Sequence, residues 1–225
     1  MSTYGQFCPV AKAMEVLDER WTLLVVRELL AGSKHFNEVR RGVPKMSPTL
    51  LSKRLRSLER HGIVERTSNG SRATYALTPC GRDLVGVVTA MGLWGLRWIG
   101  EMGEDDLDPH LLMWDMQRTI PIHAWPRGRT VVRFDLDDVA PKSARWWLMV
   151  NGDVSDVCDF DPGHDIDAIV STGLRTLTRI WRGDESWELA LRAGSVTVGG
   201  TSDVRRAVPG WLGQSTLAQL AAVPA

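Results

Sequence analysis

The sequence predicts an α+β protein with two domains, an N-terminal winged helix-turn-helix domain and a small C-terminal α+β domain. The first hundred residues hold short helix patterns and one hairpin pattern, whereas later residues alternate strand and helix patterns. The two parts also differ in charge. Residues 1–100 hold 15 basic and 8 acidic side chains, and the remainder holds 12 and 19. We place the domains at residues 1–103 and 104–225.

The overall balance of 27 basic and 27 acidic residues hides this asymmetry. Between Lys34 and Arg72 the chain has 10 basic and 3 acidic residues, which favours a polyanion as partner. No apolar run could span a bilayer, and no secretory signal opens the sequence. The 3 cysteines lie far apart and form no disulfide framework. We therefore expect a cytoplasmic protein with no membrane contact.

Residues 47–62 predict the helix around which the N-terminal domain is organised. Ser47 is suited to cap it, Pro48 fits its first position and Gly62 is suited to end it. Three leucines at helical spacing predict a buried stripe, while the opposite face offers hydroxyl and cationic groups that suit a major groove. A solvated surface helix is the alternative for a lone basic helix. The predicted DNA contacts are Ser47, Pro48, Thr49, Ser52, Lys53 and Arg56.

The neighbouring segments decide between these alternatives. A short helix before this one, capped by Ser33, completes a helix-turn-helix. An Asn-Gly turn after it joins two alternating strands into a wing, with Arg66 and Arg72 as candidate DNA contacts beside its tip. The predicted helices are 9–17, 21–30 and 35–41, and the predicted strands are 63–67 and 72–77.

A further helix is predicted from Thr78 to about Met102. Its large apolar residues repeat at alternating threes and fours, which is typical of a packing seam. Intrachain core is the alternative, but a small winged domain has little else to cover them, so we predict a homodimer helix. The acidic segment 101–108 then predicts a linker. The seam residues are Leu84, Val87, Met91, Trp94 and Trp98.

Six stretches occur together and in order: CPVA (8–11), RWTLLVVRELL (20–30), HFNEVR (35–40), SPTLLSKRL (47–55), GIVER (62–66) and YALTPCG (75–81). They resemble the HxlR-type winged-helix regulators, relatives of the MarR group, over roughly residues 6–102. The resemblance implies a homodimer that binds an inverted-repeat operator with paired recognition helices. It departs at Cys80, where a small apolar residue is expected, and at Asp18-Glu19, where glycines are more frequent.

Cys8 is a candidate redox residue. It lies beside Pro9 at the start of the first helix, where the helix dipole would lower the pKa of its thiol. Some members of the resembled family use a cysteine in this region to sense oxidants or electrophiles. The alternative is a small buried residue without chemistry.

The C-terminal half predicts a small layered α+β domain. Strand patterns include one that continues across an Asn-Gly turn into a second strand. The predicted strands are 128–136, 145–160 and 189–198, and the predicted helices are 110–118, 165–182 and 205–212.

DIDAIVSTGL (165–174) and WELALRAGSVTVGGT (187–201) are similar to the sterol-carrier-protein-type lipid-binding fold. There a helix and a glycine-flanked strand close one end of an apolar tunnel. The similarity covers roughly residues 110–215 and departs at Gly199-Gly200, where Gly-Asp is usual. It implies a sensor domain for an apolar ligand rather than an enzyme.

Of the 10 tryptophans, 7 lie beyond residue 110. Pockets for drug-sized ligands are mostly apolar and aromatic, with ordinary core packing as the alternative role for each ring. Cys158 and nearby polar residues lack a zinc-like spacing, and no catalytic motif occurs, so we expect no metal, no cofactor and no enzyme. The candidate ligand contacts are Trp114, Trp125, Trp146 and Trp181.

The sequence therefore predicts a one-component transcriptional regulator that binds double-stranded DNA as a homodimer and senses a hydrophobic small molecule. Two alternatives remain open. The chain is a lipid or hydrophobic-ligand binding protein with a secondary DNA-binding head, or it is a thiol-based redox sensor that acts through Cys8.

Overall fold

The structure, a computed structural model, describes residues 3–70 and 72–222. Its contacts divide the chain into two compact units, Met1–Gly95 and Leu96–Ala225. The domain boundary at residue 103 stays a prediction. No helix in the described ranges has the length and apolar character needed to cross a membrane.

The first unit packs helices against one two-stranded antiparallel sheet. Its buried core includes Val25 and Val26 from the second helix, Leu51 and Leu55 from the fourth, and Val64 from the sheet. The elements are α1 (Pro9–Leu17), α2 (Thr22–Leu30), α3 (Phe36–Gly42), α4 (Pro48–Arg60), β1 (Val64–Asn69), β2 (Arg72–Leu77), α5 (Pro79–Asp83) and α6 (Val85–Trp98), the last of which continues beyond the division.

The start of α3 differs from the prediction. His35 is its N-cap, and the Glu38 carboxylate accepts the His35 amide at 3.0 Å. The predicted cap, Ser33, is wrong. Its side chain is buried, and its hydroxyl oxygen has no hydrogen-bond partner among the described residues.

The prediction of one continuous helix from Thr78 to Met102 is wrong, because the structure has two helices there. Thr78 does cap a helix, since its hydroxyl accepts the Gly81 amide at 3.1 Å. However, the Leu84 amide bonds to the Gly81 carbonyl three residues back, and this tighter turn ends α5 before α6 begins. α6 then ends at Trp98, short of Met102.

The hairpin is longer than predicted. β1 and β2 pair in a register that places Asn69 opposite Arg72. Asn69 is therefore the last residue of β1 and not part of the turn, while Gly70 adopts a left-handed backbone with φ 61°. Ser71, the last residue of the predicted turn, lies outside the described residues.

The second unit packs its helices against a five-stranded sheet. Its elements are α7 (Pro109–Thr119), β3 (Thr130–Leu136), β4 (Arg145–Asn151), β5 (Val154–Cys158), β6 (Ala168–Thr172), α8 (Leu174–Arg182), α9 (Trp187–Ala193), β7 (Val196–Gly199), α10 (Ser202–Leu212) and α11 (Thr216–Ala221). The strand order is β5-β4-β3-β6-β7. β3 and β6 are parallel, and the other neighbouring pairs are antiparallel. Residues of α7, α8 and α10 join the inner face of the sheet in one apolar core.

The predicted helix 165–182 is wrong over its first half. Residues 168–172 form β6, with Ala168, Val170 and Thr172 buried in strand alternation. α8 starts only after Gly173. Asp138 caps it from the β3–β4 connection, accepting the Leu174 amide at 2.6 Å. A Cβ on Gly173 would lie 2.7 Å from an Asp138 oxygen, so this position has little room for a side chain.

The predicted strand 189–198 is also wrong in its first part. The Ser186 hydroxyl accepts the Leu189 amide at 3.1 Å and starts α9, which Gly194 ends in a left-handed conformation. Only residues 196–199 form a strand. The last predicted helix begins earlier than residue 205, at Ser202, and a further helix, α11, follows it.

The predicted linker at 101–108 is attached to the second unit. The Arg175 guanidinium donates to the Met102 carbonyl at 2.8 Å and to the Glu104 carboxylate at 2.6 Å. Asp106 accepts the Gly103 amide at 2.9 Å in the short 3₁₀ turn that follows. Contacts from Arg175 on α8 therefore hold the segment that follows α6 in place.

We expect Arg175→Ala to release this segment. A glutamate-specific protease should then cleave after Glu101 and Glu104 several times faster, because cleavage follows local opening when opening is fast. Arg192→Ala, which breaks an exposed ion pair to Glu188 at 2.8 Å, is the matched control and should leave the rate unchanged. Equal cleavage of both variants would show that Arg175 does not restrain the segment.

Candidate nucleic-acid interface

α4 begins and ends as its sequence signals predict. The Ser47 hydroxyl accepts the Leu50 amide at 3.3 Å, and Pro48 occupies the first helical position. His61 is the C-cap, and Gly62 follows with φ 68°. These signals lie within or directly beside the helix, so they define its ends without contacts from distant residues.

The two faces of α4 differ sharply in burial. Leu51, Leu55 and Leu58 are at most 1% exposed and pack into the first core. On the other side, the Arg56 Nε donates to the Ser52 carbonyl at 3.3 Å, so the guanidinium lies back along its own helix. Of the predicted contacts on this helix, Ser52 is half-buried, and the exposed ones are Ser47, Pro48, Thr49, Lys53 and Arg56.

Four more exposed cations lie before α3, in its last turn and in the turn before α4. They contribute to the positive charge that the count between Lys34 and Arg72 indicated, although the sequence did not single them out as contacts. Only the overall charge count could have suggested them. They are Lys34, Arg40, Arg41 and Lys45.

The wing is anchored to the start of α3. The Tyr75 amide donates to the Lys34 carbonyl at 2.8 Å, and the His35 Nδ1 lies 3.2 Å from the Ala73 carbonyl oxygen. Burial alone would raise the pKa of Glu38, but the Lys34 and His35 amides, with the nearby His35 and Arg41 charges, lower its pKa overall. A charged Glu38 therefore supports the junction between α3 and the wing.

The two wing arginines do not lie together. Arg66 pairs with Tyr75 across the hairpin, whereas Arg72 pairs with Asn69, and directly opposed residues share a face. Residues 66 and 69 differ by an odd number, so the side chains of Arg66 and Arg72 leave opposite faces. Both are exposed, but the hairpin presents them in different directions.

Comparison with known proteins identifies this unit. Residues 16–102 match the family described as HxlR-like helix-turn-helix. YvaP of Bacillus subtilis, an uncharacterized HTH-type transcriptional regulator, is 36% identical over 99 residues, which are 42% of this chain and 92% of that protein. The chain belongs to the HxlR-like helix-turn-helix family.

Two further similarities cover the same part of this HxlR-like chain. The uncharacterized HTH-type transcriptional regulator sll1512 of Synechocystis is 36% identical over 98 residues, which are 42% of this chain and 73% of that protein. The solved structure of the redox regulator HypR in its oxidized form is 34% identical and covers 40% of this chain and 96% of that one, with a TM-score of 0.38. The family match ends at residue 102.

α1 and α6 of this HxlR-like chain expose most of their apolar side chains. α1 has no buried residue, and Phe7 just before it is 99% exposed. Leu84 packs against the first core, but the remaining residues of the predicted seam do not. The exposed apolar residues of the two helices are Val10, Met14, Val85, Val87, Met91, Trp94 and Trp98.

The three cysteines are free thiols. Cys8 is the N-cap residue of α1 and is half-buried, but its side chain makes no capping hydrogen bond. Burial, followed by the charges of Asp156 and Asp159, raises the pKa of the Cys158 thiol, which therefore stays protonated near neutral pH. In residues 3–70 and 72–222, no three His, Cys, Asp or Glu side chains gather closely enough to hold a metal ion.

Three of the four candidate tryptophans lie in the core of the second unit, at 4–6% exposure. Their indole N–H groups have partners within the chain. Trp125 donates to the Trp211 carbonyl at 2.6 Å, Trp146 to the Ser143 carbonyl at 2.8 Å, and Trp181 to the Asp115 carboxylate at 2.8 Å. Trp114 is half-buried, with the Arg118 guanidinium 5.5 Å from its ring centre. A ligand role for the four stays a prediction.

Proposed function

We propose that this protein is a homodimeric, one-component transcriptional regulator that binds an inverted-repeat operator in double-stranded DNA. The observation that carries the proposal is α4, a doubly capped helix with a fully buried leucine stripe and an exposed hydroxyl and cationic face, in a chain of the HxlR-like family. The names of the relatives YvaP and sll1512 as HTH-type regulators support the same function.

α4 is the proposed recognition helix. Its N-terminal residues Ser47, Pro48 and Thr49 would approach the DNA first. The hydroxyls of Ser47 and Thr49 suit base edges and phosphates, whereas Pro48, which has no N–H, offers only apolar contact. Lys53 suits a phosphate, while Arg56 can read a guanine once its guanidinium leaves the Ser52 carbonyl.

Two such helices must be held about 34 Å apart to enter successive major grooves on one side of DNA. We propose that a second copy covers the exposed apolar residues of α1 and α6 and sets this distance. Large exposed apolar surfaces of this kind are typical of protein–protein interfaces. Trp94 and Trp98, at 59% and 68% exposure, offer the largest side chains for it.

The DNA function is tested by fluorescence anisotropy with a duplex taken from upstream of the protein's own gene and a shuffled duplex of equal composition. We expect sub-micromolar binding to the first that the second does not displace. Lys53→Ala should weaken binding to both duplexes and reduce the slope of affinity against salt by about 1. Arg56→Ala should cost about 1–3 kcal/mol for the specific duplex alone.

Asp83→Asn is the matched control, because Asp83 is exposed at the end of α5 and carries none of the proposed contacts. Its binding should equal that of the unaltered protein. If the unaltered protein binds both duplexes weakly and salt abolishes this binding, the proposed regulator function is rejected.

The dimer is tested with Trp94→Glu, which places a charge in the proposed interface. We expect a monomer in analytical ultracentrifugation, and at least a tenfold loss of operator affinity because the two half-sites are no longer bound together. Leu189→Glu alters another residue that is 58% exposed, on α9, and should stay dimeric. A dimer that survives Trp94→Glu would exclude α6 as its centre.

We further propose that the second unit is a sterol-carrier-like sensor of a hydrophobic small molecule. The similarity at residues 165–174 and 187–201 and the tryptophan-rich core support it. A ligand can regulate only if it binds one arrangement of the two DNA-binding heads better than another. Tight ligand binding that leaves operator affinity unchanged would instead favour a hydrophobic-ligand binding protein with a secondary DNA-binding head.

Thiol sensing through Cys8 is the second alternative, and the position of Cys8 at the start of exposed α1 favours it. Under this alternative, alkylation of the protein should lower operator affinity, and Cys8→Ser should abolish the effect. Cys80→Ser, which removes a thiol at the exposed start of α5, is the control and should leave the effect intact. An unchanged affinity after complete alkylation of Cys8 would reject it.

A further inference from the structure

One charged side chain of α4 points inward. Arg54 lies one position before Leu55 on the buried side of the helix and is 8% exposed. Its Nε donates to the Arg20 carbonyl at 2.9 Å, and one Nη bonds to the Glu19 carboxylate. Glu19 itself keeps a 45% exposed side chain. The contact joins α4 to the turn between α1 and α2, 34 residues earlier in the chain.

A second arginine, Arg27, connects α2 with the end of α3. The Arg27 Nη2, on α2, donates to the carbonyl of Gly42, the last residue of α3, at 2.8 Å. Arg27 thus links α2 to the end of α3, and Arg54 links α4 to the turn before α2. Apolar contacts by themselves have no direction, whereas the hydrogen bonds of Arg54 have a fixed geometry, so the Arg54 link restricts the rotation of α4.

The turn that Arg54 holds has an unusual backbone. Trp21, directly after Arg20, has φ 78° and is the one non-glycine residue in the described ranges with positive φ. A bulky residue in this region is strained and persists only where its surroundings fix it. The Arg54 link to the adjacent carbonyl is such a fixing contact.

We propose that Arg54 is a positioning residue for operator recognition. It touches no DNA. With Glu19 as its anchor, it sets the angle at which α4 presents Thr49, Ser52 and Arg56. This inference rests on the proposed DNA function and adds a residue that acts on specificity from the buried side of the helix.

A substitution can weaken binding to every DNA sequence, or it can remove the preference for the operator sequence. Loss of a phosphate contact weakens binding to every sequence and reduces the salt slope. Loss of the correct angle leaves the phosphate contacts available in a looser arrangement, so nonspecific binding and its salt slope survive while base readout fails. Specificity should therefore fall without a change in the salt slope.

The test uses the full chain with the specific and shuffled duplexes, at four salt concentrations. The first variant is Glu19→Gln, which leaves the Arg54 guanidinium and its bond to the Arg20 carbonyl in place. The second is Arg54→Lys, which keeps the charge but loses the forked geometry that serves both partners. Asp83→Asn again controls for removal of one carboxylate charge. Circular dichroism melting establishes that each variant is folded.

We expect both variants to bind the specific duplex about tenfold more weakly, with unchanged affinity for the shuffled duplex and an unchanged salt slope. The ratio of the two affinities does not depend on the folded fraction, so a purely structural defect would leave it unchanged. An unchanged ratio in folded Glu19→Gln and Arg54→Lys overturns the proposal. If the unaltered protein fails to prefer the specific duplex, the proposed function itself fails, which is a different result.

Discussion

A buried carboxylate on α2 holds the helix-turn-helix in place. Glu28 is fully buried, and its Oε1 accepts from the Nε of Arg27 at 3.1 Å and from Nη2 at 2.7 Å. The same Nη2 reaches the Gly42 carbonyl. The Arg27 side chain is 37% exposed, so the pair is only half-buried, but it offsets part of the cost of placing the Glu28 carboxylate in the interior. The end of α3 is therefore fixed to α2 by polar contacts with a defined direction.

The same carboxylate explains why α3 ends in glycine. A Cβ built on Gly42 would lie 1.8 Å from the Glu28 carboxyl carbon, far closer than any contact allows. α3 can approach α2 this closely only because Gly42 has no side chain. The turn that leads to α4 starts from this point, so the placement of the proposed recognition helix depends on an interaction that DNA never meets.

The ends of α4 could be predicted because their signals are local. Its contacts with other elements could not, because the partners lie far away in the sequence. Ser47, Pro48 and Gly62 act within a few residues of themselves and marked both helix ends correctly. The contacts of Arg54 cross 34 residues, and helical periodicity alone could not reveal its partners at the α1–α2 turn. The sequence predicted which face of α4 is exposed, apart from the half-buried Ser52, but it could not show that the wing arginines diverge, because this follows from strand register.

The errors in the second unit have the same physical origin. Ile166, Ile169 and Val170 happen to fit helical spacing, yet β-branched residues also suit strands, and pairing of β6 with β3 and β7 decided the outcome. Short apolar runs are ambiguous in this way until their neighbours are known. In contrast, α9 was predictable in principle. Ser186 and Gly194 are ordinary start and stop signals that the strand pattern of the following residues obscured.

The hydrogen bonds of the tryptophans limit what the second unit could recognise. Because Trp125, Trp146 and Trp181 already donate to partners in their own chain, a ligand that met them would find only apolar ring faces. A polar ligand would leave its own groups unsatisfied there, at about 1–3 kcal/mol for each one. Trp147 and Trp187 differ, since their buried N–H groups have no acceptor among the described residues. Trp187 packs against the core that holds the proposed ligand contacts, whereas Trp147 lies outside it, so the proposed sensor function favours an apolar ligand with at most one acceptor, placed toward Trp187.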